Sequence, residues 1–197
     1  NMQGFAYIDF IIPGLIMMAI ITNSYTNVVT TVFSAKFQKN IEELLVSPLY
    51  PSTILLGFIS GGVMRGFIVG VLITIISLLF SPLSIKHPFF TFFTMILTTL
   101  VFSLLGFINA LFAKKFDDIS IVPTFVLTPL TYLGGVFYSL SFLPDFWQKV
   151  SLINPILYLV NAFRYGLLDY SDVPVFWALF ILLFFLFRHQ IPRILHF

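Results

Sequence analysis

Residues 54–80 read ILLGFISGGVMRGFIVGVLITIISLLF, with a single formal charge, Arg65. As an α-helix the stretch is about 40 Å long at 1.5 Å per residue, more than the roughly 30 Å of hydrocarbon in a bilayer. So long an unbroken apolar run reads as a membrane span. The same signal recurs on both sides. Spans are expected at about 11–33 and 89–113, with the linker SPLSIKHP making 54–80 and 89–113 a hairpin. Two more runs follow, at 119–143 and 173–187, the last short for a crossing and with Pro174 near its start.

Composition agrees. The 197 residues are 59% hydrophobic and 9% charged, against about 25% charged in an average soluble domain, and mean hydropathy is +1.03. An ordinary soluble globule is excluded. Net charge is only +2, and no Lys/Arg cluster is interleaved with aromatics, so a nucleic-acid partner is excluded too. The chain has no cysteine, which removes disulfides and thiolate chemistry. The expected fold is an all-α polytopic membrane helical bundle, one domain over 1–197 with five visible spans.

Details within the runs refine this. The second half of the first span, TNSYTNVVTT, is polar enough to face protein or water. Pro123 and Pro129 interrupt the fourth run, and each frees a carbonyl that lipid cannot satisfy. Residues 144–172 form a mixed stretch in which Asn154-Pro155 marks a helix start, an N-cap followed by Pro at the first helical position. The helix it opens, about Pro155 to Leu168, is roughly 21 Å long. It is too short to span, and is expected to lie in or dip into the interface as an external helix.

Orientation follows from basic residues in the loops. Alternating spans put Lys36, Lys39, Lys114, Lys115, Arg188 and Arg193 on one side, and Lys86, Lys149 and Arg164 on the other. The first side is expected to be cytoplasmic, with Trp147 and Trp177 at the opposite interface. The amino end then lies outside. Asn1–Phe10 has no basic region typical of a signal peptide, so a preceding span is expected, making six in the full protein.

Catalytic motifs are lacking: there is no phosphate-binding GxxxxGK[ST] loop, no HExxH, no GxSxG, and His87, His189 and His196 are scattered. In the KKFDD cluster, Lys114, Lys115, Asp117 and Asp118 form a short loop before the fourth span. Asp118 suits a helix N-terminus. A metal-dependent transferase would need further carboxylates, and none follow at helical spacing.

Arg65 sits near mid-depth, where a charge costs about 2.5–3.5 kcal/mol on insertion scales. It either faces a cavity or protein partner, or snorkels to the surface. Around it run Gly57 and Gly61, then Gly62, Gly66 and Gly70, each four apart. Such a stripe lets another backbone approach closely.

Between the first two spans, KFQKNIEELLVSPL (36–49) crowds four charges into eight residues. Phe37, Ile41, Leu44 and Leu45 fall on one helical face, and Lys36, Lys39, Glu42 and Glu43 on the others. The expectation is an amphipathic helix over 36–47, ended by Pro48. Pattern alone leaves two readings open: a connector lying in the lipid headgroups, or a knob for a soluble partner.

Three stretches resemble permease subunits of the type-2 ABC exporter family: YIDFIIPGLIMMAI, IEELLVSPLYPSTILLG, and FDDISIVPTFVLTPLTYLGGVFYSLSFLP followed by INPILYLVNAFRYGLLD. They cover most of the chain in matching order. The resemblance implies six spans, a permease homodimer joined to two ATPase subunits, and export from the bacterial cytoplasmic membrane. It implies no cofactor on this chain, ATP and Mg being held by the partner. It also implies that the 36–47 helix is a coupling helix docking the ATPase through Lys36, Phe37, Lys39, Ile41, Glu42, Glu43, Leu44 and Leu45. The chain's tail, RHQIPRILHF, departs from the pattern. Two other readings stand beside it: an ion-coupled secondary transporter or channel using Arg65, and a membrane enzyme acting through Asp117 and Asp118.

Overall fold

The computed structural model describes residues 6–81 and 85–174, together with the backbone but not the side chain of Leu45. The expected span at 173–187 lies almost wholly outside the described residues. Helix α1 covers Tyr7–Phe37, α2 Asn40–Val46, α3 Pro51–Phe80 and α4 Pro88–Phe112. Helices α5 (Phe116–Ile121) and α6 (Thr128–Tyr132) flank a π-helical turn at Val122–Leu127, and after a 3-10 turn at Leu140–Phe142 come α7 (Asp145–Leu152) and α8 (Pro155–Leu168). Every regular element among the described residues is helical.

Three helices, α1, α3 and α4, are long and apolar enough to cross a membrane. Helix α1 is the hub. Ile16, Met17, Ile20, Ile21, Val28 and Val32 along it are fully buried, with α3, α4 and α8 packed against it. Lipid is as apolar as leucine, so helices associate there by close packing rather than by water exclusion. The glycine stripe meets that need. A Cβ at Gly66 would stand 2.9 Å from Thr99 Cγ2 and collide with Ser24, and one at Gly70 would meet Met95 and Ile20 at 2.6 and 2.7 Å. Gly62 is equally confined, by Val28 and Ser103. The register Gly62–Gly66–Gly70 therefore seats α3 in the groove between α1 and α4. Gly57 meets nothing within 4 Å, so the stripe's first member takes no part. Met64, Ile68, Leu72 and Leu79 lie on the exposed side of α3.

Polar groups on these spans are mostly satisfied within their own helix. Ser24, Thr94 and Thr98 each donate to the carbonyl four residues back, at 2.7–2.8 Å. The polar half of α1 divides: Ser24 and Tyr25 are buried, whereas Thr26, Thr30 and Thr31 are exposed.

The fourth span is shorter than its hydropathy suggests. Winding continues from Phe116 to Tyr132, but between the two prolines it widens to a π turn, in which Thr128 N–H reaches back to Pro123 O. The Thr128 hydroxyl donates to the same carbonyl at 2.9 Å. Winding stops at Gly134-Gly135, where Gly135 has φ +71°, a conformation that L side chains rarely adopt. The run expected to extend to residue 143 thus ends as a helix at Tyr132, and the chain turns back with Val136 buried against Gly14 of α1.

Helix α8 begins where the Asn-Pro signal places it. Asn154 Oδ1 accepts from Ile156 N–H at 3.0 Å, while its Nδ2 donates to Leu130 O at 2.6 Å. One side chain starts α8 and fastens it to α6. Leu157, Val160, Asn161, Phe163 and Arg164 along α8 are fully buried.

Candidate functional site

At one end of the bundle, the α1–α2 elbow and the α4–α5 turn form a single block. Helix α4 stops at Phe112 with its last carbonyls lacking helical partners. The Lys36 ammonium, on the last turn of α1, donates to Leu111 O at 2.8 Å and to Ala113 O at 2.9 Å. A cation there also complements the negative end of the α4 dipole. Beside it three rings close the joint: Phe33 and Phe37 both meet Phe116 edge-on, at centroid distances of 4.9 and 5.2 Å. Asp118 completes the turn by accepting from the Lys114 and Lys115 N–H groups at 2.8 and 3.0 Å. These two hydrogen bonds hold its carboxyl below the usual carboxylate range. Asp117 is exposed beside it.

The amphipathic helix expected over 36–47 is not continuous. Lys36 and Phe37 end α1, and Lys39 takes a left-handed conformation, φ 62°, that restarts the chain as α2 at Asn40. The break follows from the anchors: Lys36 and Phe37 are held toward α4 and α5, so the chain must turn before it can run along the surface. Of the residues assigned to docking, Lys36 is tied to the end of α4, Phe37 touches Phe116 yet stays 65% exposed, and Ile41 packs on the core. Lys39, Glu42, Glu43 and Val46 remain exposed, and Leu44 is half-buried. Glu42, Glu43, Val46 and Ser47 line a shallow groove on α2. The Leu45 side chain lies outside the described residues.

The opposite end is pinned by other contacts. Asp9 near the start of α1 accepts from Ser81 Oγ at the end of α3. His87 N–H donates to Gly166 O at 2.9 Å, its ring stacks on Tyr165, and Nε2 lies 3.0 Å from Asp169 Oδ1.

Just inside this end is a residue that sequence reasoning misplaced. Arg164, counted there among outer loop charges, is wholly buried on α8. Its Nη2 donates to Gly135 O at 2.7 Å, its guanidinium carbon stands 3.9 Å above the Phe10 ring, and Nη1 is 3.7 Å from Asp172 Oδ2. Asp172 also accepts from Ser139 Oγ at 2.6 Å and Tyr170 Oη at 2.8 Å. Burial lowers the guanidinium pKa to about 10 while Asp172 opposes the shift, so the cation persists at neutral pH. The cluster binds α8 to α1, to the Gly135 turn and to the segment after α8. The signal available in sequence was the i, i+3 pair Asn161 and Arg164 on an otherwise apolar short helix.

Arg65 stands on the exposed face of α3, away from the Gly62–Gly66–Gly70 stripe, with no ion-pair partner among the described residues. Asp117 and Asp118 do not converge with other carboxylates, and no cluster of three metal-ligating side chains occurs among the described residues.

Comparison with known proteins adds what geometry cannot. The model of the family described as ABC-2 type transporter matches residues 1–168. The inner membrane transport permease YadH of Escherichia coli K12 is 58% identical over 175 residues, covering 89% of this chain and 68% of that protein. Nodulation protein J of Sinorhizobium fredii is 24% identical over 170 residues, 86% of this chain and 65% of its own length. The Bradyrhizobium diazoefficiens protein of that name is also 24% identical over 170 residues, with the same coverage. No solved structure matches the chain.

Proposed function

The chain belongs to the ABC-2 type transporter family, and from that premise we propose that it exports a lipid-linked, glycan or drug-like substrate using ATP hydrolysed on a separate subunit. It is a multi-pass inner-membrane permease, a membrane subunit of an ABC transporter rather than an enzyme. The family carries the expectation of an ABC ATPase partner. ATP and Mg belong to that partner, with no cofactor on this chain.

The observation supporting the docking reading is the Lys36 clamp. It fuses the α1–α2 elbow to the α4–α5 turn, so a push on exposed Glu42, Glu43 and Val46 is delivered to α1 and α4 together. A lone loop helix would absorb such a push; a clamped one passes it on. In this reading α2 is the coupling helix, with Lys39 and the 114–118 turn flanking the contact. Two copies in a two-plus-two complex would enclose the path between the exposed threonines of α1 and the π turn. The 144–172 helices would be external elements dipping into the outer leaflet.

An ion-coupled transporter using Arg65 gains no support from the single chain, because Arg65 faces outward. Copurification tests the proposal. Full-length permease in mild detergent should retain an ATPase, and Leu44→Asp should weaken that retention and stop transport. Permease that never retains an ATPase, with Leu44→Asp transporting normally, would overturn it.

A further inference from the structure

Arg65 is the one formal charge in α3 and stands near its middle, roughly 21 Å from either end at 1.5 Å per residue. It is exposed, with no hydrogen-bond or ion-pair partner among the described residues. Its neighbours follow from the register of α3 on α1. A Cβ at Gly61 would stand 3.6 Å from Asn27 Oδ1, one at Gly66 would meet Ser24 and one at Gly70 would meet Ile20, so the two helices run antiparallel. Arg65, one turn past Gly61, therefore comes level with Asn23, one turn before Asn27. Beside these amides lie Thr22, Thr26 and Thr30, exposed at four-residue spacing on one side of α1. Unlike Ser24, whose hydroxyl donates to Ile20 O, these threonine hydroxyls make no hydrogen bond among the described residues.

A row of polar side chains that ends at a cation is not a surface for hydrocarbon. A charge at this depth faces a cavity or an opposite charge, and these 197 residues hold no acid to meet it. No Asp or Glu occurs in 51–112, 119–143 or 173–197, and Asp9, the one acid in α1, lies near its start and takes the Ser81 hydroxyl. A second copy of this chain thus brings no carboxylate to the level of Arg65. Nor does bulk lipid, whose headgroup phosphates lie about 15 Å away, at the faces of roughly 30 Å of hydrocarbon. An anion at mid-depth is one in transit. A guanidinium takes phosphate or carboxylate through its planar fork, and hydroxyls and amides beside it add hydrogen bonds without a competing charge.

We propose that Arg65, with the Asn and Thr face of α1, receives an anionic group, phosphate or carboxylate, on the substrate as it crosses the membrane. Neutral glycans and cationic drugs then fall outside the substrate class. The proposal rests on the export reading, since transport is what brings an anion to this depth.

The test places a cysteine at Asn27 in full-length permease held in phosphatidylcholine nanodiscs. Two membrane-impermeant methanethiosulfonates are compared, one bearing a sulfonate and one a trimethylammonium, each rate divided by that of the same reagent on 2-mercaptoethanol. The ratio should favour the anion about tenfold, the low end of the local enrichment that a focused charge produces. Arg65→Gln should bring the ratio to about one, and Arg65→Lys should keep most of the preference and so control for folding. Decyl phosphate should protect the cysteine from uncharged N-ethylmaleimide where decyl glucoside does not, and Arg65→Gln should abolish that protection. No reaction with either charged reagent, equal normalised rates, a preference that survives Arg65→Gln, or equal protection by the two decyl compounds would each overturn the proposal. So would protection by phosphatidylglycerol in the nanodisc, which would assign the anion to a bilayer headgroup. None of these readouts involves the ATPase: an anion preference in a permease that never retains one would sink the export reading and leave the site standing.

Discussion

Arg164 on α8 faces Asp172 across 3.7 Å, with side chains 0% and 5% exposed. The pair ties α8 to the segment that follows it, while the same guanidinium, stacked on Phe10, meets the helix at the centre of the bundle. Desolvating two charges is costly, and the return depends on the surrounding hydrogen bonds. Here Gly135 O takes one guanidinium N–H, Phe10 covers the guanidinium, and Ser139 and Tyr170 hold the carboxylate.

Removing one partner leaves the other buried and unpaired. Arg164→Leu should therefore destabilise the permease by about 3–5 kcal/mol. Arg164→Lys should recover only part of this, because an ammonium lacks the planar fork that reaches Gly135 O and stacks on Phe10. Thermal unfolding in detergent, with protease sensitivity after Leu168 as a local readout, checks both. Lysine fully restoring stability would argue for charge alone.

The Lys36 clamp makes a separate prediction. Lys36→Met keeps much of the stem but removes both hydrogen bonds and the charge, and should cost about 1–3 kcal/mol. Spin labels at Glu43 and Asp117 should show a single narrow distance in the parent and a broadened one in the variant. An unchanged distribution would mean the aromatic joint of Phe33, Phe37 and Phe116 suffices.

Glycine positions should differ by register. Gly66→Ala drives a methyl into Ser24 and Thr99 and should cost about 1–3 kcal/mol by overpacking, whereas Gly57→Ala meets open space and should be neutral or slightly stabilising. Paired melting curves separate the two.

Asp118 supplies a pH dependence. Its folded-state pKa is lowered by the Lys114 and Lys115 N–H groups, so its contribution is present above the ordinary carboxylate range and lost as pH falls through the lowered value. Protection of the Lys114 and Lys115 amides, measured against the intrinsic exchange rate at each pH, should fall as acid protonates the carboxylate below the ordinary carboxylate range. In Asp118→Ala it should already be low at neutral pH. Equal protection in that variant would exclude the cap.

The first three spans were legible because apolar runs longer than a bilayer is thick have few other uses, and the Asn154-Pro155 start because its capping chemistry is local. What sequence reading missed depends on distant partners. Lys36 looked like a surface charge until the end of α4 came beside it. Phe37 shared a periodic face with Ile41 that an elbow divides. Arg164 looked like a loop charge because charge counting ignores burial. Gly134-Gly135, which ends the fourth helix early, sits inside an apolar run where hydropathy barely registers it. The sequence left Gly57 and Gly62 equally eligible for packing, and only contact with Ser103 and Val28 separates them.

The central claim is that α2, joined by the elbow to the end of α1 that Lys36 fastens to the α4–α5 turn, is where an ATPase docks and drives the permease. The chain has no cysteine, so a cysteine at Glu43 can be paired with cysteines across the ATPase surface in the assembled transporter. Crosslinking yield should be high in at least one state and should change between nucleotide-free and ATP-bound complexes. Yields identical in both states, or no crosslink at any ATPase position, would contradict the account.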